Sequence, residues 1–334
     1  MALESDPTPL EQDQVLYKYL HTRPIAGVPY ALLILQTMRL TVSDPTTFND
    51  PFEVRPCFDQ ECHDHYAKGK ELFTKEALGL EHCLVAGQSM VGFRTENAAD
   101  FGDKLNERFR EELRARFRVL CLSQNPKSVL MWGHYTSSHS GLVVGLDASL
   151  PGFPKGLKAE GFKVDYSPER SKTRLPLAFY QHPPVESMDL ISRELVNSPS
   201  ELVQIDGKIW APFSVYRERV EDAVMTCLTT KAQDWQYEEE VRYIYALNKH
   251  RDQLLHEHGR CFLNIPPGAL REIIIGFRTE PHIVKGVIEL FRNGKIGKPR
   301  LFFATCHPFL YEVQAHEESA DYIDRYFALN MASH

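Results

Sequence analysis

Short apolar segments with the pattern of buried strands recur from one end of this 334-residue chain to the other, and their spread limits the folds it can take. The strongest is Arg271–Phe277 (REIIIGF), an isoleucine run bounded by charge and glycine. Val15–Tyr19 (VLYKY), Arg39–Val42, Arg118–Leu122, Gly141–Leu146, Phe162–Tyr166, Glu239–Leu247, Arg300–Ala304 and Phe309–Val313 read the same way, by alternation or by continuous β-branched and aromatic content. Between them, helical spacing predicts helices over Tyr30–Thr37, Lys127–Tyr135 and Glu280–Phe291, and over Asn97–Phe117, where Phe101, Leu105, Phe109, Leu113 and Phe117 recur every fourth residue. Further helices are expected at His65–Ala77, Leu80–Met90, Val185–Leu195 and Ser200–Lys231, and a turn at Asp44–Phe52. Strands interleaved with helices over the whole length predict an α+β fold. The expectation is a single mixed-sheet domain over 15–315, with large helical insertions at about 53–117 and 185–231, a loose tail at 1–14 and a peripheral segment at 316–334.

The longest aliphatic run, Ala31–Leu35, is far short of the roughly 18 apolar residues a membrane span needs, and the acidic, polar start has no signal-peptide pattern. No membrane partner is expected. Lys and Arg total 38 against 45 Asp and Glu, a net charge of −7, which argues against a generic nucleic-acid coat. Seven cysteines at irregular spacing read as a reduced, cytoplasmic set rather than a disulfide framework. Cys57, Cys62, His63, His65, His82 and Cys83 have zinc-compatible side chains, but the spacing matches no finger, so no metal ligand is assigned.

Three segments carry candidate chemistry. Leu120–Asp147 sets Ser123, Trp132, His134, Tyr135 and His139 in polar stretches between two buried strands, as a pocket wall requires: histidine for proton transfer, aromatic rings for stacking. Lys231–Arg242 (KAQDWQYEEEVR) carries three carboxylates at the lip of a strand beside Trp235, Tyr237 and Arg242. Strand alternation would turn Glu238 and Glu240 to one side, where each raises the other's pKa and Arg242 offsets the effect. Phe48–Glu53 (FNDPFE) offers Asn49 and Asp50, as site residues or as turn caps.

These segments occur in a recognisable order: L-Y-K-Y (Leu16–Tyr19), S-x-P-x-x-F-N-D-P-F-E (Ser43–Glu53), V-L-C-L-S-x-N-P-x-S-V-L-M-W-x-H-Y (Val119–Tyr135), H-x-G-L-x-x-G-L-D (His139–Asp147), K-x-x-x-W-x-Y-E-x-E-x-R (Lys231–Arg242) and I-I-I-G (Ile273–Gly276). The pattern resembles the bacterial domain-of-unknown-function family numbered 2971 over about residues 15–315, with Gly133 standing where many members have serine. That resemblance implies no activity. It gathers Lys18, Asn49, Asp50, Ser123, His134, Tyr135, His139, Glu238, Glu240 and Arg242 into one candidate site. A more distant similarity is to ADP-ribosyltransferases, in which an opening strand, a middle strand-and-helix and a late strand carry, in turn, the groups for the NAD ribose, for nicotinamide and for catalysis. Tyr17, Lys18 and Tyr19, then Ser123 with His134 and Tyr135, then Glu238 or Glu240 fall in that order, with Lys18 where the resemblance would place His or Arg.

The resulting expectation is an NAD-processing, ADP-ribosyltransferase-like protein of bacterial stress or phage defence, with a small nucleotide as ligand and a nucleic-acid or protein acceptor. Glu240, Glu238 and His134 are the catalytic candidates; Tyr17, Lys18, Asn49, Asp50, Ser123, Trp132, Tyr135, His139 and Arg242 are the binding candidates. Two alternatives stay open: a metal-dependent nuclease or phosphodiesterase using Asp50, Glu238 and Glu240, and a non-enzymatic module that binds a nucleotide or partner.

Overall fold

The structure is a computed structural model. It describes residues 15–56, 84–85, 88–89, 106–107, 109–111, 113–170, 203–205, 208–210, 224–257 and 259–330. Within these the chain is a mixed α/β fold dominated by one large sheet, and it divides into two compact units. The first comprises 1–48, 115–166 and 233–334; the second comprises 49–114 and 167–232.

In the first unit the strands are β1 (Val15–Leu20), β2 (Arg39–Val42), β3 (Phe117–Ser123), β4 (Leu142–Asp147), β5 (Phe162–Lys163), β6 (Glu240–Ala246), β7 (Leu255–Glu257), β8 (Arg260–Asn264), β9 (Leu270–Ile275), β10 (Arg300–Cys306) and β11 (Val313–Glu317). The helices are α1 (Tyr30–Thr37), α2 (Val129–Tyr135), α3 (Pro281–Arg292) and α4 (Ala320–Asn330). Eight strands form one sheet in the order β11-β10-β9-β4-β1-β3-β6-β5. Its pairs are antiparallel except β9 with β10, which are joined through α3, as a parallel pair needs a crossover. Strands β7, β8 and β2 make a smaller antiparallel sheet.

Alternation along β1 explains why the sheet is covered on both faces. Leu16 and Leu20 join Leu120, Leu122, Val144, Ile273 and Ile275 in the larger core, under α1, α3 and α4. Tyr19 joins Val143, Ile274, Met131 and Trp132 in a smaller core on the opposite face, with Tyr17, Tyr135 and Tyr237 packed against it. Helix α3 begins with Pro281 at a position that needs no amide donor, and buries Ile283, Val284, Val287 and Ile288, a stripe one helical turn apart. Its Gly286 lets it lie close to α1, because a Cβ there would meet Leu32 Cδ1 at 2.9 Å. Helix α1 ends on Met38 in the left-handed region, φ +51°, with its amide bonded back to Ile34 O.

Several expectations are corrected. Leu80–Met90 is not a helix where described: Leu84–Val85 pairs with Gln88–Ser89 as a short hairpin. Ser200–Lys231 contains the antiparallel pair Val203–Ile205 and Lys208–Trp210, and among its described residues helix is confined to 224–229. The strand expected over Phe309–Val313 begins at Val313, because Phe309 to Glu312 form the turn into it. The 97–117 helix is present at its described positions, with Phe109 and Leu113 buried, and gives way to β3 at Phe117. The 316–334 segment, read as peripheral, contributes Ile323 and Phe327 to the larger core through α4. The tail 1–14, Phe101 and Leu105, the helices expected at 65–77 and 185–195, and the cysteine–histidine cluster at 57–83 lie outside the described residues. The second unit's two segments overlap the stretches that the sequence marks as insertions.

Candidate functional site

The end of β3 and the start of β6 are clamped together, and this clamp disposes three consecutive carboxylates. Ser123 Oγ donates to Glu238 O at 2.6 Å and accepts from Asn125 N at 3.0 Å. Gln124 N donates to Glu239 O at 2.9 Å, and Asn125 Nδ2 donates to Glu239 Oε1 at 2.8 Å. Glu238 closes the 3-10 helix Gln233–Glu238, and Glu239 takes a left-handed conformation, φ +43°, before β6 begins at Glu240. Glu238 is therefore not a strand residue, and the alternation that would set it beside Glu240 does not apply. The three side chains diverge instead. Glu238 is buried and accepts the Tyr135 hydroxyl at 2.6 Å. Glu239 is exposed. Glu240 is buried against Arg242, whose Nε and Nη2 reach its two oxygens at 3.0 and 2.8 Å.

Arg242 is 1% exposed, and its guanidinium lies 5.0 Å from the centre of the Phe48 ring. A fork-shaped pair of this kind fixes both side chains, and removing one partner leaves the other charged and buried. The backbone amide of Glu240 donates to Tyr166 Oη at 2.8 Å.

Helix α2 supplies the rings. Ser128 caps it by accepting from Met131 N. Trp132 points inward, is fully buried and donates its Nε1 hydrogen to Pro126 O at 2.8 Å. Its role is packing: it meets Tyr19 edge-on with centroids 5.9 Å apart. His134 and Tyr135 are the last two residues of the helix. The His134 ring lies 6.4 Å from Trp235, 6.3 Å from Tyr237 and 6.4 Å from Tyr135, and Trp235 lies 5.9 Å from Tyr237. Four rings thus cluster beside the buried Glu238 carboxylate. Flat partly exposed rings can stack on a planar ligand, and a carboxylate can accept a ligand hydroxyl.

Tyr17 stands directly across from Ser123, and Ser123 directly across from Glu240, on three neighbouring strands. The Tyr17 hydroxyl leads away from Glu240: it donates to Glu272 Oε2 at 3.1 Å, and Glu272 in turn meets Arg300 at 3.5 Å. Burial first, then the Glu272 charge, pushes the Tyr17 phenol up to about 12. Gly145 makes this possible, since a Cβ there would meet Tyr17 Cε1 at 3.1 Å and Glu272 Cβ at 3.0 Å. Lys18 Nζ donates to Cys121 O at 2.9 Å.

His139 lies in a strained loop. Ser137, Ser138 and His139 all have positive φ, +52°, +57° and +69°, a run that side-chain-bearing residues rarely sustain. The His139 ring lies parallel to Trp132 at 6.2 Å and 5.0 Å from Phe277. Its Nδ1 is buried without a hydrogen-bond partner among the described residues, and burial, then Arg278, lowers its pKa. Gly276 accommodates the loop, because a Cβ there would meet His139 O at 2.3 Å.

Asn49 and Asp50 belong to the second unit. Asn49 is exposed, and Asp50 Oδ1 accepts from Phe52 N at 2.8 Å, the turn-capping role. The same turn sets Glu53 within 3.6 Å of Lys231, a buried ion pair joining the ends of the FNDPFE and KAQDWQYEEEVR segments.

The structure therefore brings together Ser123, His134, Tyr135 and Glu238, with Glu240 and Arg242 on the adjoining strand end. Trp132 serves the core, and the His139 ring lies alongside Trp132. Sequence reasoning left Asn125, Trp235 and Tyr237 out of the site. The W-x-Y spacing before the glutamates was the available signal, because one 3-10 turn carries both rings to the same place. Among the described residues, no group of three or more His, Cys, Asp or Glu side chains is disposed to hold a metal ion, and no helix is long and apolar enough to cross a membrane.

Comparison with protein-family models, with curated proteins and with solved structures yields no match, so the family resemblance drawn above rests on the motifs alone.

Proposed function

We propose that this chain is an NAD-processing, ADP-ribosyltransferase-like protein, with Glu238 as the carboxylate that engages the nicotinamide ribose. The observation that carries the reading is the buried Glu238 carboxylate held by the Tyr135 hydroxyl at 2.6 Å, with His134, Trp235 and Tyr237 beside it. The rings would stack on nicotinamide, and the Glu238 carboxylate would accept a ribose hydroxyl. As the bond between nicotinamide and ribose C1′ breaks, nicotinamide leaves with the electron pair and the ribose gains oxocarbenium character. A fixed carboxylate stabilises that charge more than it stabilises the ground state. An acceptor nucleophile then bonds to C1′ and loses its proton. Glu240 holds Arg242 in place rather than touching the ribose, since both its oxygens already face the guanidinium.

The test is release of nicotinamide from NAD, followed by mass spectrometry in a nucleic-acid and protein extract, with magnesium or with chelator. Release that survives chelation, falls about 100-fold in Glu238→Gln and persists in Glu239→Gln is the expected result. NAD binding without release would make the chain a binding module. Nucleic-acid cleavage only with magnesium would establish the phosphodiesterase reading instead.

A further inference from the structure

The second unit holds a cavity of about 250 Å³ that none of the preceding chemistry uses. Among the described residues its walls include Phe52, Val54 and Pro168, and its polar groups include Arg55, Arg170 and Lys231. Two features mark it as built rather than incidental. Lys231 and Glu53 form an ion pair with side chains only 4% and 1% exposed, so a charged pair is kept out of water at the cavity wall. Val54, next to Glu53, is a β-branched residue with φ +58°, a conformation that costs about 1–3 kcal/mol and persists only where its surroundings impose it.

Arg170 is held ready in the same place. Its Nε and Nη2 donate to Arg55 O at 3.2 and 2.8 Å, and its guanidinium lies 5.9 Å from the Phe52 ring centre. One edge of the fork is thereby fixed, which leaves Nη1 hydrogens at defined positions without further loss of side-chain freedom. Lys231 is balanced by Glu53, whereas among the described lining residues Arg55 and Arg170 together outweigh the one remaining carboxylate, Glu169.

We propose that this cavity binds a small oxyanion-bearing molecule: a carboxylate or phosphate group on the Arg170 and Arg55 guanidiniums, with a compact apolar body against Phe52, Val54 and Pro168. The volume lies just below the range for drug-sized ligands and suits a single substituted ring. The site is independent of the Glu238 cluster, so either assignment stands if the other fails.

Saturation-transfer NMR on the full chain, with phenyl phosphate, benzoate and uncharged benzyl alcohol as probes, tests the proposal. Phenyl phosphate or benzoate should bind saturably and benzyl alcohol at least about tenfold more weakly, since a charge-assisted hydrogen bond is worth that much. The tighter of the two anions names the oxyanion. Arg170→Gln should weaken the anion about tenfold and Arg170→Lys less, because lysine keeps the charge but loses the fork. Ala232→Leu, which fills the cavity, should abolish binding with Arg170 intact. Equal binding of benzyl alcohol and the anions, no binding of any probe, or anion binding unchanged in both Arg170→Gln and Ala232→Leu, overturns it.

Discussion

The buried Glu240–Arg242 pair gives a stability prediction that separates the glutamate built into the strand from the one proposed to act on a ligand. Glu240 and Arg242 are 6% and 1% exposed and share two hydrogen bonds at 3.0 and 2.8 Å. Changing Arg242 to Met leaves the Glu240 carboxylate buried beside a thioether and removes the guanidinium from the Phe48 ring. Changing Glu240 to Met removes the carboxylate that meets the guanidinium at Nε and Nη2. Breaking a buried pair from one side costs about 3–5 kcal/mol, because the remaining ion keeps its desolvation penalty and loses its compensation. With a urea slope of about 1–3 kcal/mol/M, each single variant should unfold at least about 1 M earlier. The double variant, Glu240→Met with Arg242→Met, removes both ions and should recover to within about 1 kcal/mol of the starting protein. Urea unfolding followed by circular dichroism measures all three. Single losses below about 1 kcal/mol, the size of an exposed surface pair, would refute the reasoning. So would a Glu240→Met variant that keeps its stability but loses nicotinamide release, which would move the catalytic role from Glu238 to Glu240.

The other predictions concern the Tyr17 and His139 regions. Tyr17 has its folded-state pKa raised from 10.0 to about 12. The folded state then holds this proton where the unfolded state has released it, so the stabilising contribution is complete below pH 10 and is lost as pH rises from 10 through about 12. Urea midpoints measured across that window should fall more steeply for the native chain than for Tyr17→Phe. Gly145→Ala sets a Cβ 2.8 Å from Val15 Cγ1 and 3.1 Å from Tyr17 Cε1. It should cost about 1–3 kcal/mol in urea unfolding, as overpacking does. Ser138→Val adds a β-branch at φ +57°. It should lower stability by about 1–2 kcal/mol, whereas Ser138→Asn, which tolerates the left-handed region, should be near neutral by thermal unfolding.

Local pattern was enough for much of this molecule. Alternation in Leu16–Leu20 and the continuous apolar run Ile273–Ile275 predicted β1 and β9, because side-chain period and burial are properties of the segment itself. The turn at Asp44–Phe52 was legible too, since Asx-Pro pairs restrict the backbone before any tertiary contact forms. Where apolar residues were sparse or irregular, as at 84–89 and 203–210, periodicity did not separate helix from hairpin, and the extended pairing there depends on a partner strand.

The site divides the same way. Its residue types and their order along the chain are sequence properties: the serine at the end of β3, the His-Tyr pair on α2 and the run of three glutamates. Which glutamate meets which partner is not. Glu238 and Glu240 share one side only if the chain stays extended, and the 3-10 turn with left-handed Glu239 between them is imposed by the hydrogen bonds from Gln124 and Asn125, residues more than 100 positions away. Tyr17 finds Glu272 across 255 residues because β1 and β9 flank β4 and Gly145 leaves room between them. Sequence fixes what each segment buries, since that depends on local spacing; the tertiary structure chooses the partners of the charged groups, since those depend on which distant strands the topology sets side by side.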